Sequence, residues 1–321
     1  MAVADYEYTV EQCDVSQQNR GRLTAYRTFR RKCLDYIRAD SRTSVATQIH
    51  NLAWHTAVFK TLNEARRIEP EQKVNAGMWN LISAGYFTMV TLGVRRLVDH
   101  HAKTDSIWNV LEHLEKHPEL LTRENYVCYD GVPFDHAKAF SAYVAMLEVS
   151  DESGDSGTWL PAGGPDAWDT SQLLHKAFDR LAGAHGLKKR TDKIPAELFA
   201  KLKDQLRAPA IERVRTLADR SIAHAERISP DSPVPVTTFD DVEEALRIIV
   251  RVTNFLSASV FYDAAFGSVV PTPQYDVLAN LDAPWISSAL IPDLRDKWRE
   301  VCNSMNTWAD DIDDGFLLEL S

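Results

Sequence analysis

Apolar side chains recur every three to four residues through nearly the whole chain, and no segment alternates convincingly between apolar and polar residues. The first period places apolar side chains on one face of an α-helix, whereas a half-buried β-strand needs an alternation of two. The pattern therefore predicts an all-α fold. The 321 residues, 45% of them hydrophobic, suffice for one large helical domain or two smaller ones.

Capping residues and prolines divide the periodic segments into separate helices. We predict helices over about 16–39, 44–67, 73–101, a short stretch after Ser106, 171–184, 195–207, 209–228, 240–266 and 291–309. The helix over 73–101 is apolar nearly all round as far as Gly93, which predicts a central place in the core.

Segment 151–170 interrupts the helical pattern with four glycines and two prolines among acids and serines. We interpret it as a loop inserted between two helical layers. The predicted organisation is a basic N-terminal helix over 1–44, a helical bundle over 45–266, and a C-terminal extension over 267–321. That extension ends in an acidic tail that includes Asp310, Asp311, Asp313 and Asp314.

Composition and motifs exclude several classes of function. A net charge of −10 disfavours unspecific coating of nucleic acids, although it leaves room for a local basic cleft. The four scattered cysteines, the lack of a signal peptide and the lack of a long apolar run predict a cytoplasmic protein with no membrane span. The chain has no glycine-rich phosphate loop, Gly-x-Ser-x-Gly elbow or HExxH motif, and we predict no cofactor and no metal.

The segment 213–226 carries the clearest chemical signal. On an α-helix, Arg213, Arg220 and His224 share one stripe, well away from the apolar stripe of the same helix. Guanidinium groups match the oxygens of phosphate, and an imidazole can move protons near neutral pH. The segment therefore predicts a surface for an anionic ligand.

Two passages resemble a known family. The first is Gly93-Val-Arg-Arg-Leu-Val-Asp99, which is followed by Asp105-Ser-Ile-Trp-Asn-Val-Leu111. The second is Leu217-Ala-Asp-Arg-Ser-Ile-Ala-His224. In their content and order they resemble the AbiU-type branch of the HEPN superfamily, over roughly residues 45–265.

The resemblance implies a HEPN-like up-and-down helical bundle, here with an extra C-terminal helical lobe, that commonly forms a homodimer. It also implies a metal-independent endoribonuclease of a bacterial toxin–antitoxin or phage-defence system, with RNA or a nucleotide and an antitoxin protein as partners. We expect Arg220 and His224 to be catalytic, with Arg213 and Arg96 binding RNA phosphates. Two carboxylates complete the expected site as supporting residues, namely Asp99 and Asp219.

The chain departs from the family pattern at one position. Aligning the Ala-His pair puts Ala218 where the family has its motif arginine. The nearest arginines are Arg220, one helical turn before His224, and Arg215, which lies toward the apolar stripe. Three alternatives follow: a shifted active site, a non-catalytic module that binds RNA, a nucleotide or a protein, or a relic of an active site. Independently of this position, the acidic tail could lie in the basic cleft as a mimic of RNA and hold the protein inactive.

Overall fold

The structure is a computed structural model that describes residues 6–38, 41–69, 75–150, 162–183, 188–223, 236–281, 283 and 287–310. The chain divides into two compact units, Met1–Thr272 and Pro273–Ser321. The α-helices of the first unit are α1 (Arg20–Arg38), α2 (Val45–Ile68), α3 (Ala76–Leu97), α4 (Ile107–Lys116), α5 (Arg123–Cys128), α6 (His136–Ser150), α7 (Trp168–Ala182), α8 (Ala196–Gln205), α9 (Pro209–Leu217) and α10 (Phe239–Asn254). The second unit contains α11 (Ile291–Asp310).

The predicted all-α class is confirmed, since the described residues hold helices and a single isolated β-bridge. Capping explains several helix starts. Ser44 accepts a hydrogen bond from the backbone of Thr47 at the start of α2, and Ser106 does the same for Asn109 at α4. The predicted loop over 151–170 is described only from residue 162, and α7 begins before that loop was expected to end. Asp310, the first aspartate of the acidic tail, is the last residue of α11. Residues 311–321, with the rest of the tail, lie outside the described part of the chain.

Four helices form the bundle of the first unit. α2 packs against α3, α3 against α9, and α9 against α10, which in turn contacts α2 and α3. α1 and α4 pack beside this bundle, and α5, α7 and α8 complete the layer around it. Two of the bundle helices, α9 and α10, each continue into a single π-helical turn, over Ala218–Ala223 and Phe255–Val260.

The basic run in α1 serves the packing of the bundle. Arg30 is buried and donates two hydrogen bonds, of 3.1 and 2.7 Å, to the carbonyl oxygen of Phe261. Its guanidinium also lies 4.3 Å from the ring centre of Tyr129. Arg27 is buried as well and donates to the carbonyl oxygen of Tyr129. These two cations therefore tie α1 to the rest of the unit and are not exposed to a ligand.

The prediction that α3 is central to the core is wrong for its first half. The buried residues of α3 begin at Val90, and those of α2 end at Ala53. The C-terminal half of α2 and the N-terminal half of α3, which we call the distal halves, leave large apolar side chains exposed, with Leu81 at 69% and Ile68 at 66%. Within the described residues, too little of the chain packs over these halves to bury them.

A buried arginine holds the segment before α8 against the unit. Arg123 is 1% exposed and forms ion pairs with Asp179 at 2.6 Å and Asp192 at 3.0 Å. Its backbone N–H also donates to the carbonyl oxygen of Asp192. One side chain thus connects α5, α7 and the segment 188–194.

His175 completes this cluster as a neutral group. Its Nε2 lies 2.7 Å from the carbonyl oxygen of Phe134, which can only accept, so Nε2 carries the proton. The other ring nitrogen, Nδ1, is 3.5 Å from a guanidinium nitrogen of Arg123 and accepts from it. Burial, and to a smaller extent the charges of Lys188 and Arg123, lower the pKa of His175 to about 4.

This shift predicts acid destabilisation. Between about pH 6.5 and pH 4 the unfolded chain binds a proton at His175 and the folded chain does not, so the free energy of unfolding falls as the pH is lowered. Each pKa unit corresponds to about 1.4 kcal/mol, and after allowing for partial solvent screening we expect a loss of about 2 kcal/mol across this window. Urea unfolding of wild type and His175→Gln at several pH values measures it. The glutamine variant should show a shallower slope; identical slopes would contradict the assignment.

Candidate functional site

The two passages that resemble the family meet in space. α3 packs against α9 and against the π-helical turn that follows it. The contact is made by Arg95, whose Nε donates to Oδ1 of Asp219 at 2.8 Å, and the same guanidinium lies 3.4 Å from Oδ2 of Asp99. Arg95 thus bridges two carboxylates from the two passages. The bond to Asp219 and the charge of both carboxylates raise the pKa of Arg95, which keeps it cationic.

The arginine in this bridge differs from the predicted one. Arg96 was the arginine of this segment expected at the site, but Arg95 is the one that pairs with Asp99, at a spacing of four residues. Arg96 is exposed to solvent. Among the described residues no ion pair or hydrogen bond of its side chain is found, so its charge is available to a ligand.

The backbone changes its helical winding in the turn that contains Arg220, the first residue of the predicted catalytic pair. α9 ends at Leu217, and Ala218–Ala223 forms a π-helical turn in place of the expected α-helix. The expectation that Arg220 lies beside His224 rests on an α-helix of about 3.6 residues per turn. A π-helical turn contains more residues, so a separation of four residues no longer means one full turn. Turns of this kind are rare and occur frequently at functional sites. Arg220 is half-buried in this turn, whereas His224 lies outside the described residues.

Burial explains why an arginine would not fit at the motif position. Ala218 is fully buried, as are Ile211 and Val214 on the same stripe of α9. The predicted apolar stripe is therefore buried as far as Ala218, while Ile222 is only half-buried. An arginine at position 218 would have to bring its charge into the core or distort the turn.

Arg213 lies on α9 and forms an ion pair with a residue of α10. Its guanidinium contacts Oδ1 of Asp241, with Nε at 3.1 Å, and this contact lowers the pKa of Asp241 to about 2. Asp241 also accepts from the backbone of Thr238 at the start of α10. A phosphate bound by Arg213 would therefore have to compete with a carboxylate that is already in place.

A profile of the HEPN AbiU2 family matches residues 38–283 of the chain, which includes both passages, α2 to α10 and the Arg95–Asp219 contact. The chain belongs to the AbiU2 family of HEPN proteins. It is thus a HEPN-like module of an abortive-infection family, and the predicted all-α bundle is the fold of this AbiU2 chain. Neither the curated proteins nor the solved structures include a significant match.

The described residues of the chain contain no group of three His, Cys, Asp or Glu side chains arranged to hold a metal ion. They also contain no helix whose length and hydropathy would let it cross a membrane.

Sequence reasoning missed two parts of the site in this AbiU2 chain. Arg95 was passed over for its neighbour, although its spacing of four residues from Asp99 was a usable signal. The second part is the ring pair of His100 and Trp108, stacked with 3.9 Å between centres. His100 directly follows Asp99, so its proximity to the site could have been inferred, but the stacking could not.

Proposed function

We propose that the chain is an endoribonuclease that needs no metal, in which His224 acts as general acid or base and Arg220 stabilises the phosphate. The observation that carries the proposal is the contact between Arg95 and Asp219. It fixes the start of the π-helical turn to the end of α3, so that the half-buried residues 219–222, which lead towards His224, are held against α3.

The proposed reaction uses only groups of the protein and the RNA. His224 removes the proton of a ribose 2′-hydroxyl, whose oxygen attacks the adjacent phosphorus, and the bond to the 5′-oxygen of the next nucleotide breaks. That leaving oxygen takes up a proton. Arg220 stabilises the negative charge that builds up on the phosphorane oxygens. The products are a 2′,3′-cyclic phosphate and a free 5′-hydroxyl.

The nature of the products tests this chemistry. End-labelled single-stranded RNA is incubated with the full-length protein in EDTA, and the new ends are identified by their response to phosphatase and kinase. We expect cyclic phosphate at one end and a hydroxyl that a kinase can label at the other. Cleavage that stops on chelation, or that leaves a 5′-phosphate, would contradict the proposal.

The burial of Ala218 favours a second candidate, which is a module that binds RNA or a nucleotide, or a protein partner, without cleaving RNA. In that case the ion pairs around Arg95 would be structural. Wild type would then bind RNA with the same affinity as His224→Ala and leave it intact in the assay above.

We propose that the protein works as a homodimer, joined through the distal halves of α2 and α3. The exposed apolar side chains there are typical of an interface between proteins. Besides Leu81 and Ile68, Met78 is 39% exposed and the neighbouring Phe239 48%. At the same face, Phe59 of α2 stacks on Tyr86 of α3 with 4.0 Å between ring centres, so aromatic packing holds the two helices together there.

A charge on this face should separate the two copies. We expect Leu81→Glu to convert a dimer to a monomer at micromolar concentration, because each interface would bury a carboxylate among apolar side chains. Light scattering after size-exclusion chromatography measures the mass. The matched control is Leu173→Glu on α7, which replaces another exposed leucine. A dimeric Leu81→Glu protein, or a monomeric wild type, would overturn this interface.

Membership of an abortive-infection family leads us to propose a role in phage defence or in a toxin–antitoxin pair, with cytoplasmic RNA as the target. An antitoxin protein would then silence the module until infection. Expression of the chain alone should inhibit bacterial growth, whereas His224→Ala should not; equal growth of the two would remove this role.

A further inference from the structure

The exposed imidazole of His100 lies flat on an indole ring. Its ring centre is 3.9 Å from that of Trp108, and the two planes differ by 21°. Trp108 itself is 5% exposed, while His100 is among the exposed residues. The imidazole is therefore the outermost ring of a stacked pair at the surface.

The turn that carries His100 is held rigidly. Asn109 is 5% exposed and donates to the carbonyl oxygens of His101 at 2.9 Å and Thr104 at 2.7 Å. Ser106 donates to the carbonyl oxygen of Asp99 at 2.6 Å. The backbone on both sides of His100 is thus fixed, and the ring is positioned before any ligand arrives.

Several cations lie near the stacked pair, two of them at the indole ring. The ammonium group of Lys203 lies 4.9 Å from the Trp108 ring centre and pairs with Glu115, and the guanidinium carbon of Arg207 lies 5.1 Å away and pairs with Asp204. Burial and, as the next cause, the charge of Arg215 lower the pKa of His100, which favours its neutral form. Lys103 adds an exposed cation, and its ammonium group has no ion pair among the described residues.

A neutral aromatic ring fixed at a surface and flanked by cations is the arrangement with which proteins hold single-stranded RNA. The ring stacks on a base, and the cations follow the phosphates. We propose that His100 is a stacking platform for a nucleobase of single-stranded RNA. This inference rests on the proposed action on RNA and assigns to it a base contact outside the catalytic pair.

The test measures binding of a short 2′-O-methyl oligonucleotide, which cannot be cleaved because the attacking hydroxyl is blocked. Fluorescence anisotropy gives its affinity for the full-length protein. Loss of one stacked base corresponds to a weakening of about 5- to 150-fold, so we expect this effect for His100→Ala. His100→Phe keeps an aromatic ring and should bind within about threefold of wild type.

Three controls separate stacking from other effects. His100→Leu covers Trp108 with an aliphatic side chain, so it should fold as wild type does. Because leucine has no aromatic ring, this variant should bind the oligonucleotide as weakly as His100→Ala. His117→Ala replaces a half-buried histidine that packs edge-on against the ring of Phe29, and it should bind normally. An oligonucleotide without bases should bind wild type and His100→Ala equally.

The outcomes distinguish this inference from the function on which it rests. Equal binding of the base-containing oligonucleotide by wild type, His100→Ala and His100→Leu would overturn the platform and leave the nuclease proposal intact. Absence of both binding and cleavage in wild type would overturn both.

Discussion

Alanine in place of His224 is expected to slow RNA cleavage by about 10²- to 10⁴-fold, because a positioned general acid or base contributes that much to such a reaction. Affinity for uncleavable RNA should change little, since the imidazole acts on the hydroxyl proton and not on the phosphates. Single-turnover cleavage with the protein in excess measures the chemical step. A variant that cleaves at the wild-type rate would exclude His224 from the chemistry.

Arg220 should matter to a similar degree and for a different reason. Its removal deprives the transition state of a charge that stabilises the phosphorane, which costs about 10²- to 10³-fold in rate. Arg220→Lys keeps the charge but not the forked geometry, so it should recover part of the loss. The matched control is Arg251→Ala, an exposed arginine on α10. If the control lost as much activity as Arg220→Ala, the loss could not be assigned to the site.

Methionine in place of Arg123 is expected to lower the free energy of unfolding by about 3–5 kcal/mol. The side chain is 1% exposed and contacts two carboxylates, Asp179 and Asp192. Its guanidinium also lies 4.6 Å from the ring centre of Phe178. The substitution leaves both carboxylates without their cation and frees the segment 188–194, so a large loss follows. Equilibrium unfolding in urea measures it.

Exposed ion pairs provide the comparison. Arg67 pairs with Glu64 at 2.6 Å, but both side chains are more than half exposed to solvent. Because solvent screens such a pair, the unfolding curve of Arg67→Met should overlay that of wild type. If Arg123→Met were as stable as this control, the buried network would not hold the fold together as argued.

The fold followed from the sequence because its signals are local. Period and caps predicted α2, α4 and α11 closely, and Ser44 and Ser106 cap as their positions suggested. The burial of α3 did not follow, because apolar side chains all round a helix show that it needs cover, not what covers it. The exposed half of α3 is where that inference failed.

The site was predictable in position more than in detail. Two short passages, far apart in sequence, meet in the structure, and Asp99 and Asp219 both contact Arg95 there. The choice of Arg95 over Arg96 depends on which way α3 faces α9, which single-helix periodicity does not determine. The π-helical turn at Ala218–Ala223 packs against α3, and the sequence analysis, which assumed a continuous α-helix, did not predict it.

Photo-crosslinking tests the central claim, that RNA is bound where α3 meets the π-helical turn, most directly. RNA containing 4-thiouridine is irradiated with the full-length protein, and the modified peptides are identified by mass spectrometry. We predict crosslinks within residues 95–108 and 213–224, which carry Arg96, His100, Arg220 and His224. Crosslinks confined to other parts of the chain, such as α6 or α11, would contradict the account.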